Sequence, residues 1–287
     1  MRHIKAFLTL IAVVMAFTAC EKHVIAYDSE TIQPGSAEFQ LHYFVPVVAG
    51  AANNITKVEI NDKLYTNQTG PLSTYNAVPS GAVGRFFNAP AGNTNIKLYR
   101  GANQDLVYDQ NVTLQSGKQN VFVHDFTKPP VVIDNGFPYP RNVTDTTDNY
   151  GWVRFYNFLY ETAGVPTDKT LQYQYQYVTD RASMTKSDWI NVGDPVSFGQ
   201  ATDWEMIPVV REVITAPSSS YARVDYRILV KGNASSPDSL LKVRNASGSM
   251  VDYADWWTAY VGRHYMHILA GFRAATPISA VRQFTAN

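Results

Sequence analysis

The sequence predicts an all-β protein that contains two tandem antiparallel β-sandwich domains after a signal peptide. Three observations predict this fold class: alternation of apolar and polar residues in short runs, turn residues between those runs, and an approximate repeat of the whole pattern. The chain has 287 residues, 45% of them hydrophobic, and its 18 Tyr and 14 Phe favour half-buried strands. No long segment has a helical period.

Alternation is clearest in two runs of the second half of the chain. In LQYQYQYV (171–178), Leu and Tyr occupy one face and three Gln occupy the other. In YARVDYRILVKG (221–232), apolar residues alternate with Arg223, Asp225 and Arg227. Turn sequences such as PAGN (90–93) and KGN (231–233) separate the runs. Short strands at this spacing predict a β-sandwich.

The strand pattern occurs twice in the same order, which predicts a duplication. The three matching pairs are AEFQLHYFV (37–45) with GWVRFYNFL (151–159), NIKLYRGAN (95–103) with DYRILVKGN (225–233), and SGKQNVFVHDF (116–126) with VGRHYMHILAGF (261–272).

The repeat places one domain at residues 36–127 and a second at residues 151–287. Residues 128–150 lie between them and contain several Pro residues and a DNG turn signal. This composition predicts a semi-rigid linker that holds the two domains end to end.

The N-terminus predicts export. Arg2 and Lys5 precede an apolar run at residues 6–17, and small residues lie directly before Cys20, so residues 1–19 have the pattern of a signal peptide. The apolar run is shorter than the roughly 20 residues that a membrane-spanning helix needs. Removal of the signal leaves 22 basic and 24 acidic side chains, a net charge of −2. This balance disfavours a nucleic-acid partner or a polybasic membrane patch.

The single cysteine excludes an intrachain disulfide. FTAC (17–20) resembles the bacterial lipoprotein signal, with Phe17 in place of the usual aliphatic residue. That resemblance implies that Cys20 becomes the mature N-terminus and carries lipid, which anchors the protein to a membrane. An ordinary signal peptide with an incidental Cys is the alternative. Residues 20–35 are then a polar tether that ends in Pro-Gly.

The segment 88–126 carries a PAG turn, a strand that ends in YRG, a VTLQSGK turn and a closing apolar strand. It resembles the second half of a bacterial domain family of unknown function, whose members are Ig-like β-sandwiches, often in tandem, on exported lipoproteins of the Bacteroidetes. The resemblance covers residues 37–126, and more loosely 151–287. It implies two Ig-like domains, lipid anchoring in the outer membrane with cell-surface exposure, and adhesion or glycan contact. It implies no catalytic residue and no cofactor.

The sequence lacks the motifs of several enzyme classes, including GxSxG, HExxH and a phosphate-binding glycine loop. With Cys20 bound to lipid, no thiol nucleophile is left. If residues 201–207 form a strand, Asp203 and Glu205 lie about 7 Å apart on one of its faces, a separation that suits a glycosidase pair. Such acid pairs also occur on ordinary exposed strands. We therefore expect a non-enzymatic protein.

Two other clusters invite a metal interpretation. In a strand, the spacing of His264 and His267 points their side chains to opposite faces, which predicts one buried and one exposed histidine and no shared metal. Asp145, Asp148 and Asn149 place oxygen ligands in the linker, where calcium is the alternative to a solvated segment. We expect no metal site at either place.

The second repeat is longer than the first. Gly101 lies 16 residues before Gly117, whereas Gly232 lies 30 residues before Gly262. The extra residues are assigned to a loop around GSMVDYADWWTAYVG (248–262). Loops that a rigid scaffold presents often carry function. The candidate ligand-binding residues in this loop are Tyr253, Asp255, Trp256, Trp257 and Tyr260.

Aromatic side chains beside an acid can stack on sugar rings or anchor a protein partner. The alternative is that the two consecutive Trp residues close the end of the sandwich, one pointing in and one pointing out. Trp189 and Trp204 fit either role.

Together these features predict a cell-surface lipoprotein that acts as a non-enzymatic binding or adhesion module. Its second domain would contact a glycan or a host protein, and the lipid on Cys20 would contact the membrane. One alternative is a subunit of a fimbrial or other surface assembly, with residues 277–287 as a donated strand. Another is an accessory glycan-binding lipoprotein of an outer-membrane uptake system.

Overall fold

Strands that alternate in side-chain direction build the described part of the protein. The computed structural model describes residues 35–66, 70–80, 84–136, 150–180, 182–210 and 221–286. Its helical content is a single 3-10 turn at Ala51–Asn53 within those residues. The all-β prediction is therefore confirmed. The signal peptide, Cys20 and most of the tether lie outside the described residues, as do Asp145, Asp148 and Asn149.

The first half of the chain, up to residue 136, forms two sheets. Sheet A has the order β4-β1-β8-β9, and β5 also pairs with β1. Its strands are β1 (Ser36–Tyr43), β4 (Asn76–Val78), β5 (Phe87–Pro90), β8 (Gly117–Val123) and β9 (Val131–Asp134). Sheet B has the order β3-β2-β6-β7. Its strands are β2 (Ile55–Ile60), β3 (Lys63–Thr66), β6 (Gly92–Arg100) and β7 (Asp105–Leu114).

The second half, from residue 150, repeats this plan. Sheet C has the order β11-β10-β21-β22, with β15 also on β10. Its strands are β10 (Tyr150–Thr162), β11 (Val165–Pro166), β15 (Glu205–Pro208), β21 (His264–Phe272) and β22 (Ala280–Thr285). Sheet D has the order β13-β12-β16-β17, with β14 on β12 and β20 on β16. Its strands are β12 (Leu171–Asp180), β13 (Thr185–Lys186), β14 (Ile190–Asn191), β16 (Tyr221–Val230), β17 (Ser239–Leu240) and β20 (Ala254–Tyr260).

The two halves share one strand plan, which supports the predicted duplication. In each half the first strand pairs with the penultimate long strand, β1 with β8 and β10 with β21. Both of these pairs are parallel, so the expectation of purely antiparallel sheets is wrong. A parallel pair needs a long connection, and each half supplies one because its other sheet is formed between the two paired strands.

Each half has its own core between its two sheets, and a third core lies between the halves. Phe39 and Leu41 point into the core between sheets A and B, whereas Phe44 points to the opposite side of sheet A. There it joins Phe122, and on the sheet C side Tyr156 and Phe158. The layers therefore follow the order B, A, C, D.

This packing corrects the expected end-to-end arrangement. Residues 34–287 form one compact unit, since sheets A and C pack face to face. The segment assigned to the linker begins inside this unit: β9 pairs with β8, and Val131 and Ile133 pack against the core between the halves. The Pro-rich composition of the segment predicts a linker and gives no indication of this strand.

The C-terminal strand belongs to its own sheet. β22 pairs with β21 from Ala270↔Ala280 to Tyr265↔Thr285, and Phe284 lies in the core between the halves. The first strand, β1, lies inside sheet A with partners on both sides. Donation of the C-terminal strand would remove Phe284 from its buried position.

Candidate functional site

The two consecutive tryptophans lie on a strand and not in an inserted loop. Within β20, Trp256 is paired with Asp225 and Trp257 with Val224 of β16. The extra residues of the second half lie before this strand, at positions 231–253, where β17 and the hairpin of β18 (Lys242–Arg244) and β19 (Met250–Asp252) are found. The first half has only residues 101–104 at the equivalent place, between β6 and β7. The prediction of an aromatic loop at 248–262 is therefore wrong.

Alternation along β20 separates the two rings. Trp257 is 5% exposed and packs against His267, with 4.6 Å between ring centroids. Trp256 is 50% exposed on the outer face of sheet D. The alternative of one ring in and one ring out thus describes the strand, because neighbouring residues of a strand face opposite sides.

The other three candidate residues also differ from one another in solvent exposure. Tyr253 is buried, and its hydroxyl oxygen accepts the N–H of Val281 at 2.7 Å, so it fixes the edge of β22. Asp255 is exposed, and its carboxylate accepts the N–H of Trp256 at 2.9 Å. Tyr260 is half-buried beneath the guanidinium of Arg263 at 4.4 Å. Of the five candidates, only Trp256 offers a large exposed aromatic surface.

An arginine and an ion-pair network hold Trp256 in place. The guanidinium of Arg223 lies 4.8 Å from the centroid of the Trp256 ring. Its Nε donates to Oδ1 of Asp225 at 2.9 Å, and Lys186 Nζ lies 2.6 Å from Oδ2 of the same carboxylate. The Asp225 side chain is only 13% exposed, so the acid anchors both cations from within the sheet surface.

A second arginine–tryptophan pair lies at the opposite edge of the same face. The guanidinium of Arg227 is 4.3 Å from the centroid of the Trp189 ring. Its Nε donates to Oε1 of Gln174 at 2.8 Å, and Gln174 Nε2 donates to Oδ1 of Asn191 at 2.8 Å. Partial burial lowers the pKa of Arg227 from its ordinary value.

These side chains form one surface, which we call the Arg–Trp face. It consists of the outward side chains of sheet D and the adjoining Trp189: Gln174, Gln176, Lys186, Trp189, Arg223, Asp225, Arg227 and Trp256. With strands about 4.8 Å apart, the sheet separates the two tryptophans by roughly 14 Å. Sequence reasoning identified the polar rows of β12 and β16, but it could not find the cross-strand order that brings Trp189 to them.

The outer face of sheet B is a built-in comparison. There Asn111 is opposite Asn95, as Trp256 is opposite Asp225. Asn95 donates to Asp109 at 2.8 Å, and Lys97 contacts Asp62 at 2.6 Å. All five tryptophans of the chain lie in the second half. The two outer faces therefore have the same strand plan, but only one presents tryptophan.

Both histidines of β21 are buried, which corrects the prediction of one exposed ring. His267 faces the second-half core, where its Nδ1 lies 2.8 Å from the hydroxyl of Tyr173. His264 faces the other way and is 3% exposed, because Trp152 covers it with 4.9 Å between centroids. Sheet C has no solvent-facing side at this point. In the described part of the chain, no three His, Cys, Asp or Glu side chains lie close enough to hold a metal ion.

The strand over residues 201–207 that would place Asp203 and Glu205 on one face does not form along its full length. β15 begins at Glu205, so Asp203 lies before the strand and is exposed. Glu205 is partly buried, and burial raises the pKa of its carboxyl. Glu205 lies close enough to Tyr175 to raise the pKa of that phenol further, after the larger effect of burial.

Comparison with known proteins adds little. No protein-family model matches the chain, and no curated protein matches it. Among solved structures, a leucine-rich repeat protein from Bacteroides thetaiotaomicron aligns with 83% of this chain and 26% of its own, at 13% identity and a TM-score of 0.20. The chain thus spans about a quarter of that protein, and the likeness carries no argument. In the described residues, no helix has the length and apolar character of a membrane span.

Proposed function

We propose that this protein is a non-enzymatic binding module of a lipid-anchored surface protein and that it contacts glycans through the Arg–Trp face. The main observation in support of this proposal is the exposed ring of Trp256, which Arg223 fixes on an outer sheet. A large aromatic surface that is ordered and accessible is typical of a recognition site. Cys20 would carry the lipid, as the signal resemblance implies.

The chemistry of the face suits a sugar chain. Trp256 and Trp189 offer flat apolar surfaces, and the amides and cations between them offer hydrogen-bond partners for hydroxyl groups. The networks of Asp225 and Gln174 already fix these groups, so little side-chain freedom is lost on binding. A flat, polar sheet face fits an extended chain along its surface better than a small ligand that needs a deep pocket.

Glycan-array binding of the purified protein tests the proposal, with Trp256→Ala and Trp189→Ala as variants. Asn111→Ala is the matched control, because it changes the equivalent position on sheet B. We expect binding by the parent and the control, and at least tenfold weaker binding by both tryptophan variants. Circular dichroism checks that each variant is folded.

Two results would contradict the proposal. One is the absence of glycan binding by the parent protein, and the other is equal binding by the tryptophan variants. An array of immobilised host-matrix proteins, run in parallel, separates a protein partner from a glycan. Slower migration of the protein in a native gel that contains a soluble polysaccharide would favour the role of an accessory protein in glycan uptake.

A further inference from the structure

A groove of about 960 Å³ opens between the two halves, away from the Arg–Trp face. One wall is formed by the segment from Gly70 to Val78, which includes β4 of sheet A, and the other by residues 281–284 of β22 in sheet C. Neither half forms this groove alone. Its volume lies in the range of sites that hold small molecules.

Among the described residues that line the groove, only Arg282 has a formal charge. Its guanidinium lies 4.8 Å from the centroid of the Tyr75 ring, and its Nε is buried without a hydrogen-bond partner. No acidic side chain of the described residues forms an ion pair with it. Four other described arginines donate to acceptors of the protein itself: Arg154, Arg223, Arg227 and Arg273.

Tyr75 fixes the position of this guanidinium. Its backbone has φ of +61°, in the left-handed region that bulky residues rarely adopt. The N–H of Tyr75 donates to Tyr43 O at 2.7 Å, and Phe44 packs edge-on against the ring at 5.7 Å. The side chain is 9% exposed, and its hydroxyl has no hydrogen-bond partner. Strained backbone concentrates at sites where a fixed geometry is used.

We propose that the groove binds a small hydroxylated carboxylic acid, with its carboxylate on Arg282. A guanidinium presents paired N–H donors that match a carboxylate, and such charge-assisted pairs are among the stronger hydrogen bonds. Ser73 and Asn76 supply neutral polar groups for hydroxyls, and Phe284 and Leu72 supply apolar surface. This site is independent of the proposed function of the Arg–Trp face.

Calorimetric titration of the purified protein tests the proposal, with glucuronate and galacturonate as probes. Glucose and galactose are their neutral counterparts. We expect the acids to bind, their neutral counterparts to bind at least tenfold more weakly, and Arg282→Gln to lose about 10- to 100-fold in affinity for the acids. Arg244→Gln is the matched control, because Arg244 is exposed on β18, outside both the groove and the Arg–Trp face, and this variant should bind the acids as the parent does.

A second measurement does not depend on the folding of a variant. Phenylglyoxal modifies accessible arginines, and peptide mapping of the parent protein should show that glucuronate protects Arg282 whereas glucose does not. The proposal is overturned if neither acid binds, if acid and neutral sugar bind alike, or if Arg282 is not protected. Loss of glycan-array binding in Trp256→Ala with unchanged glucuronate binding would separate the two sites.

Discussion

The ring of Phe122 stacks on the ring of Phe158, with 4.5 Å between centroids and 29° between their planes. The two residues belong to different halves of the chain. Beside them, Nδ1 of His124 lies 2.7 Å from the hydroxyl of Tyr160, again across the boundary. Stacked aromatics and a buried polar contact are features of a core, so the boundary between the halves is part of the interior.

Phe158→Ala should therefore destabilise the protein by about 3–5 kcal/mol, the usual cost of removing a buried phenylalanine ring. Leu106→Ala is the control, because Leu106 is 52% exposed and its removal should change stability by about 0.5 kcal/mol or less. Urea unfolding followed by circular dichroism measures both. Equal midpoints for the two variants would mean that the halves do not depend on each other.

Two fully buried histidines predict loss of stability in acid. Burial lowers the pKa of His42 and of His267 to about 3, against an ordinary value of 6.5. The folded state thus keeps both rings neutral, whereas the unfolded chain takes up protons below pH 6.5. The contribution of these histidines to the free energy of unfolding is fully present above that pH. It falls as the pH drops from 6.5 towards 3, by about 1.4 kcal/mol per pH unit for each ring.

His42→Phe isolates one of these contributions. The ring of His42 stacks on Phe122 at 4.4 Å, so phenylalanine can keep that contact while removing the titrating group. Urea unfolding between pH 7 and pH 4 should show a slope smaller by about 1.4 kcal/mol per pH unit. An unchanged slope would show that folding does not lower the pKa of His42.

The two adjacent tryptophans should differ strongly in their effect on stability. Trp257→Ala empties a buried position beside His267 and should cost about 3–5 kcal/mol. Trp256→Ala removes only a half-exposed ring and its stacking with Arg223, so it should cost about 1 kcal/mol or less. Thermal unfolding of both variants measures the difference. Similar losses would place Trp256 in the core and remove the basis of the proposed glycan site.

Two glycines with left-handed backbone test close packing. Gly271 has φ of +118°, and a Cβ there would lie 2.7 Å from Ile278 O, whereas Gly117 has φ of +95° and open space around it. Gly117→Ala should cost about 1–3 kcal/mol through backbone strain alone. Gly271→Ala should cost more, since the backbone at Ile278 must also move. Urea unfolding compares the two, and a smaller loss at Gly271 would contradict the described contact.

Local pattern predicted the strands well, because alternation follows from backbone geometry. The rows of β12 and β16 were read from sequence, and the repeat predicted the order of strands in the second half. The layer order could not be read in this way. Gln40, His42 and Arg154 are polar residues on the inner faces of sheets A and C, so those faces resemble solvent-facing surfaces.

The position of the insertion could not be found from sequence because two glycine spacings give a length and not a location. The Asp-Trp-Trp sequence lacks an alternation of polar and apolar residues, so its pattern is typical of a loop. In the structure these residues lie on a strand, with Trp257 buried and Trp256 on the exposed face of the sheet. The Arg–Trp face depends on pairing between β14, β12, β16 and β20, in which paired residues lie up to 59 positions apart in sequence, as Leu171 and Val230 do. Pairing at this distance leaves no local signal.

The layer order also determines which sheets can tolerate amino-acid substitution. Sheets A and C are covered on both sides, so almost any substitution there falls in one core or the other. Sheets B and D each keep one side open to water, and after a duplication these sides can diverge at little cost to folding. The exchange of Asn111 for Trp256 at equivalent positions is such a divergence. New recognition surfaces should therefore arise on the outermost strands of relatives, while the paired inner sheets preserve the shared frame.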